Sequence, residues 1–233
     1  KKREGAVARR RVFYIPGYDP FHPRRYRELY RKEAAAQAAI SGYEISIGRR
    51  RSGDAHGWHA TGRMDGAEVE ADIEVLLWSD IVRGSMAQGI AATYLQMVRT
   101  AWAYIRSGVI FRVMRLRKGP TIAALYPIAV LLAELIAAVL AGWGMALIAG
   151  AGLSAVGLPA EAGWIAGVLT LWAVLDRFRV WDRRIYAYYL MHDYAFTAEA
   201  DGAYPPELEV RLALFADRIA DALREDWDEV LVV

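Results

Sequence analysis

The chain contains no cysteine, which excludes a disulfide framework, a thiolate metal centre and a cysteine nucleophile, and fits a protein facing the cytosol. Lys1 to Arg10 is charged and lacks the apolar core of a signal peptide, so nothing here reads as a cleavable export signal. A formal charge of +2 is too small to point to nucleic acid, and no nucleic-acid partner is expected. Charge is also nearly missing from one long stretch: between Thr121 and Leu175 only Glu134 and Glu161 carry it.

What is present in excess is apolar surface. Hydrophobic residues make up 55% of the chain while charged residues hold an ordinary 24%, so the excess must be concentrated in one region. That region is Thr121–Leu175. The run Thr121–Leu153 exceeds the ~20 residues needed to cross ~30 Å of hydrocarbon and reads as a transmembrane helix. Leu153–Leu175 reads as a second span, with a tight turn around Gly150 to Pro159.

Cations flank this pair and are missing from its turn. Arg112, Arg115, Arg117 and Lys118 precede the first span, Arg177, Arg179, Arg183 and Arg184 follow the second, and the turn has no Lys or Arg. By the positive-inside rule both flanks are cytoplasmic. The expectation is an integral protein of a bacterial inner membrane with both termini cytoplasmic and the lipid bilayer as its first partner. Gly142, Ala146 and Gly150, with Gly163 and Gly167, recur at four-residue spacing, which suits either the seam of the hairpin or a docking face for another membrane protein complex. Glu134, in mid-span, must be neutral, paired or turned toward protein, since an acidic residue exposed to lipid costs about 2.5 to 3.5 kcal/mol. It serves either as an intramembrane functional group or as a carboxyl bonded to a neighbouring helix.

Gly89–Met114 is apolar and aromatic but interrupted by Arg99, Arg106 and Arg112, as in a helix lying on the membrane surface. Trp181, Tyr186, Tyr188 and Tyr189 interleave with Arg183 and Arg184 in the manner of an interfacial belt. The basic triplets Arg9-Arg10-Arg11 and Arg49-Arg50-Arg51 are expected to contact anionic lipid.

The remaining segments are α/β in character. Arg11–Ile15 reads as a buried strand entering the loop Pro16-Gly17-Tyr18-Asp19-Pro20, and a helix follows from about Pro23 to Ile40. Tyr43–Gly48, Trp58–Met64 and Ala67–Trp78 read as strands, the last two joined by an Asp65-Gly66 turn. Tyr186–Ala200 reads as a helix and then a loop. Pro206–Arg224 carries Leu208, Leu212, Phe215, Ile219 and Leu223 on one face and is a strong amphipathic helix. Asp228–Val233 ends in an all-apolar run, as a central parallel strand covered on both faces would. Four segments result: 1–83, strands and a helix of the α/β part; 84–118, a membrane-surface helix; 119–177, the transmembrane hairpin; 178–233, an interfacial segment followed by a helix and strand of the α/β part.

Two stretches resemble the α/β-hydrolase superfamily. Arg11-Val12-Phe13-Tyr14-Ile15-Pro16-Gly17-Tyr18-Asp19-Pro20 resembles the strand and loop that carry the oxyanion-hole amide, and the amphipathic helix before Asp228-Glu229-Val230-Leu231-Val232-Val233 resembles the approach to the nucleophile elbow. The resemblance implies a partial hydrolase-like sheet, no cofactor, and an esterase, lipase or thioesterase activity on an acyl or lipid-like substrate. Gly17 and Tyr18 would supply the oxyanion-hole backbone. A Gly-x-Ser-x-Gly elbow would come next, and the natural product is expected to continue past Val233. Pro16 departs from the family's usual His, and no Gly-x-Ser-x-Gly occurs in the 233 residues. Read from the residues alone, Gly17 equally serves a plain strand-to-helix turn with positive φ. The contrasting expectation is a non-catalytic accessory subunit that binds a larger membrane protein complex through its hairpin.

Among the remaining groups, His56 and His59 have a spacing a metal could use but no evident third ligand, so no metal site is expected. His192-Asp193 reads as a surface pair, because adjacent helical residues point apart. Gly84-Ser85-Met86-Ala87-Gln88-Gly89 has the wrong spacing for an elbow.

Overall fold

Three arginines and the β-branched and aromatic run Val12-Phe13-Tyr14 make up β1 (Ala8–Tyr14), along which burial alternates from Arg11 on, and the sheet is arranged around it. The computed structural model describes residues 7–50, 56–86 and 89–233. These form two compact units, one of Lys1–Gly84 with Tyr204–Val233 and the other of Ser85–Ala203.

The first unit is α/β. It contains β1, α1 (Arg24–Ser41), β2 (Glu44–Arg49), β3 (Gly57–Met64), β4 (Ala67–Val75), most of α2 (Ser79–Met86), α8 (Pro206–Ala222) and β5 (Glu229–Val232). The sheet is mixed, in the order β2-β3-β4-β1-β5. β1 runs parallel to both β4 and β5, while β2, β3 and β4 are successively antiparallel. The β3–β4 hairpin closes through Asp65 (φ 52°) and Gly66 (φ 79°), the pair of positive angles a tight primed turn requires. Helix α1 stops at Gly42 (φ 71°), whose N–H returns to the Ala38 carbonyl.

Side chains alternate across β1 and divide the core in two. Val12 and Tyr14 join Trp58, Ile73, Val75 and Tyr26 of α1 on one face. Phe13 joins Leu76 and the apolar stripe Leu212, Phe215 and Ile219 of α8 on the other. The final strand differs from expectation. Among the described residues β5 stands at the end of the sheet and pairs with β1, and Val232 and Val233 are more than half exposed. An all-apolar run of four residues is equally compatible with a central and an edge position, because periodicity reports the environment of faces and not of edges.

The second unit is helical: α3 (Ile90–Arg106), α4 (Val109–Leu116), α5 (Lys118–Ala155), α6 (Gly163–Ile185) and α7 (Ala187–Ala198), with short 3-10 turns at Ala160–Ala162 and Glu199–Gly202. The expected single surface helix is two, broken at Ser107-Gly108, where Gly108 takes φ 68°. Helix α5 runs unbroken for 38 residues, about 57 Å, with Pro127 in its early turns. It is the helix, among the described residues, that is long and apolar enough to cross a membrane. Helix α6 packs against it as an antiparallel hairpin, but its apolar part ends at Leu175, about 20 Å from Gly163, and the helix continues through charged residues to Ile185.

Candidate functional site

In a parallel sheet the carboxyl ends of the strands are where connections diverge and loops project. Here that edge is built by β1, β4 and β5. The Ile15 N–H donates to the Val233 carbonyl at 2.8 Å and the Leu76 N–H to that of Tyr14 at 2.9 Å. The loop after β1 is pinned on several sides. Trp78 Nε1 donates to the Pro16 carbonyl at 2.7 Å, and the Tyr18 ring meets Trp78 edge-on with centroids 6.2 Å apart. Asp19 accepts the Phe21 N–H at 2.9 Å and the Tyr26 hydroxyl at 2.8 Å. Gly17 is exposed at the tip of this loop. Its φ is outside the left-handed region, and an added Cβ would meet nothing within 4 Å. A positive φ is therefore not what places a glycine at this position.

Below this edge the sheet buries an ion network that the sequence did not lead us to expect. Arg11 on β1 is in register with Asp72 on β4, so both side chains leave the same face. Arg11 bonds both Asp72 and Glu74. Arg50 reaches the same two carboxylates at 3.1 Å each, and Arg218 of α8 reaches Glu74 at 3.0 Å. Burial, and then the neighbouring Arg50 charge, draw the Arg11 guanidinium below its ordinary range. Arg11 and Arg50, expected at a lipid surface, are thus turned into the protein; Arg51 lies outside the described residues. The readable signal was the alternation Asp72-Ile73-Glu74-Val75, which places two acids on one face of a strand whose other face is apolar.

The histidines of the first unit do not assemble a metal centre. The ring of His56 meets that of His22 with centroids 6.2 Å apart, and His59 stands opposite Asp72 on β3. Among the described residues no group of three or more His, Asp or Glu could hold a metal ion. Ser85 ends within α2, and Ala87 and Gln88 lie outside the described residues.

In the helical unit the small residues lie at the seam of α5 and α6. A Cβ on Gly163 would come within 2.5 Å of the Gly150 nitrogen, and one on Gly167 within 2.7 Å of the Gly142 carbonyl oxygen. Glu134 lies on the same buried stripe of α5 as Leu131 and Ala138, with uncharged stretches of the helix on either side of it. Its carboxylate is buried, and Oε2 has no hydrogen-bond partner. The Tyr188 hydroxyl is likewise buried and faces that of Tyr94, which donates to the Leu131 carbonyl at 3.2 Å. Asp182 caps α7 by accepting the Tyr188 and Tyr189 N–H groups at 2.8 and 3.2 Å.

His192 is buried, not on the surface, and its Nδ1 lies 2.9 Å from Gln96 Oε1 of α3. Burial holds the imidazole below its usual range and raises the Asp193 carboxyl above its own. No protein-family model matches the chain, and no curated protein or solved structure matches it.

Proposed function

We propose that the protein is an integral membrane protein whose α5–α6 hairpin crosses the bilayer twice, with both flanks cytoplasmic, and whose sheet unit is a hydrolase-like domain. The observation that carries the membrane reading is the bare apolar surface of the hairpin. Ile136, Leu140, Trp143, Leu147 and Ile148 on α5, with Ile165, Val168 and Trp172 on α6, are all more than half exposed. A water-soluble protein does not leave an apolar band of this extent uncovered. The 21 residues of α5 after Glu134 span about 31 Å, the thickness of the hydrocarbon layer. The shorter apolar part of α6 is extended at its polar end by Arg177 and Arg179, whose aliphatic stems lie along the apolar layer while the guanidinium groups reach the headgroups.

The absence of native cysteine makes the topology directly testable. With Leu158→Cys as the sole thiol, an impermeant maleimide added to intact cells should label the turn, while Leu116→Cys should be labelled only after permeabilisation. Labelling of both positions only after permeabilisation, or recovery of the protein in the soluble fraction, would reject the hairpin reading.

Support for the hydrolase-like reading comes from strand order. Parallel strands β4, β1 and β5 place the first strand in the middle, α1 covers one face of the sheet and α8 the other, and the Gly17-Tyr18 loop stands at the carboxyl end where connections diverge. Ligands of doubly wound sheets bind at that edge. There the backbone of Gly17 and Tyr18 would face the developing oxyanion of an acyl or lipid-like ester or thioester. Native membranes treated with a fluorophosphonate probe should show a labelled species containing this chain. Absence of labelling together with comigration in a large detergent-solubilised assembly would instead favour the accessory-subunit reading, in which the exposed hairpin binds another membrane protein complex.

A further inference from the structure

Ion pairing is divided sharply between the two units. Every ion pair among the described residues lies in the sheet unit, where Arg10, Arg11, Arg50, Arg63, Arg211 and Arg218 each meet a carboxylate. The helical unit pairs none of its cations. Arg99, Arg106 and Arg112 on α3 and α4 are exposed and have no carboxylate partner, as are Arg115, Arg117 and Lys118 at the junction of α4 and α5. The same holds for Arg177, Arg179, Arg183 and Arg184 at the end of α6. Of these, Arg177 stacks over the Trp181 ring at 4.9 Å and Arg112 donates to the Ser107 carbonyl at 2.7 Å.

The sequence supplies little to neutralise them: no Asp or Glu stands between Asp80 and Glu134. Of the nearby acids, Glu134 is buried, Asp182 is committed to the start of α7, and Asp176, Asp193 and Glu199 form no ion pair with these cations. Like charges gathered on one unit repel one another unless an external anion screens them.

The surface between these cations is apolar. On α3 the exposed residues Leu95, Val98, Trp102 and Ile105 recur at intervals of three and four, while the face turned inward mixes Thr93, Gln96 and Thr100 with Ile90 and Met97. The helix thus packs a mixed face inside, with Gln96 against His192 of α7, and presents an apolar stripe outward beside Arg99 and Arg106. An aqueous surface does not account for that arrangement, and neither does a soluble anion, which would leave the stripe bare. An anionic leaflet satisfies both features, with acyl chains against the stripe and phosphates against the cations.

We propose that the unpaired cations of the helical unit form a collar that binds anionic phospholipid headgroups in preference to zwitterionic ones, with α3 lying in the interface. The inference rests on the membrane reading of α5 and α6 and adds to it the lipid class. The positive-inside rule alone requires only that these charges stay on one side of the membrane; it requires no lipid preference.

The test uses the full chain reconstituted in phosphatidylcholine nanodiscs carrying either brominated phosphatidylglycerol or brominated phosphatidylcholine at equal mole fraction, with quenching of tryptophan fluorescence as the readout. Quenching should be stronger with the brominated anionic lipid, and the difference should shrink as salt rises from about 0.05 M to about 0.5 M. Each collar charge removed should lower the local enrichment by about fivefold in low salt. The triple variant Arg115→Gln, Arg117→Gln, Lys118→Gln should therefore lose most of the preference, whereas Arg115→Lys with Arg117→Lys should keep it. Equal quenching by the two lipids, or a preference unchanged in the triple variant, overturns the collar. Quenching by neither lipid overturns the membrane reading beneath it.

Discussion

Tyr26 shows how a single side chain ties loop to core. Its hydroxyl donates to Asp19 at 2.8 Å, and its ring packs edge-on against Tyr14 at 5.4 Å. Burial first, and then that hydrogen bond, push its ionisation well above the ordinary tyrosine range. A raised value means that the fold favours the neutral phenol. The stabilisation is therefore complete below the unfolded value near 10 and is lost as pH rises above it toward the folded value. Tyr26→Phe should cost about 1 kcal/mol near neutral pH, the usual net contribution of one hydrogen bond. The gap between natural protein and variant should close as pH rises beyond about 10. Urea unfolding at pH 8 and at pH 11 checks this, and a gap that does not change with pH would show that the phenol is not linked to folding. Of these facts, the sequence carried only the helical placement of Tyr26. The partnership with Asp19 depends on how the loop folds back, which no local pattern encodes.

At the scale of elements, the pairing of α5 with α6 was the most legible feature because its signal is repeated: small residues recur at every fourth position on both helices. Steric contact converts that pattern into a prediction. Gly163→Leu places carbon where the Gly150 nitrogen would be only 2.5 Å away, whereas a Cβ on Gly152 meets nothing within 4 Å. Overpacking of this kind costs about 1 to 3 kcal/mol. Gly163→Leu should lower the thermal midpoint of the detergent-solubilised protein by several degrees, and Gly152→Leu should leave it unchanged. Equal midpoints for the two variants would mean that the glycine seam does not hold the helices together. Two features were missed for different reasons. The break at Gly108 is a local glycine stop with positive φ that the apolar run masked, whereas the position of β5 in the sheet arises from pairing between segments, and hydrophobic periodicity reports only faces.

Across the whole molecule, the sheet unit is assembled from two segments separated by the entire helical unit. Arg211 of α8 clasps the two segments by bonding Asp80 at 2.7 Å and the Leu77 carbonyl at 2.6 Å. Replacement of Ser85–Ala203 by a short Gly/Ser linker should therefore yield a water-soluble protein with cooperative unfolding. Aggregation of that product, with no unfolding transition by circular dichroism, would show that the helical unit is part of the sheet's folding core. By itself the sequence determined where the apolar mass lies, which flanks carry charge, and that strands and amphipathic helices surround the hairpin, because composition and period act locally along the chain. Only the tertiary structure decided that Arg11 and Arg50 turn inward onto Asp72 and Glu74 while the cations of the helical unit stay unpaired. Charges are paired through space, and strand register and helix packing set which of them meet.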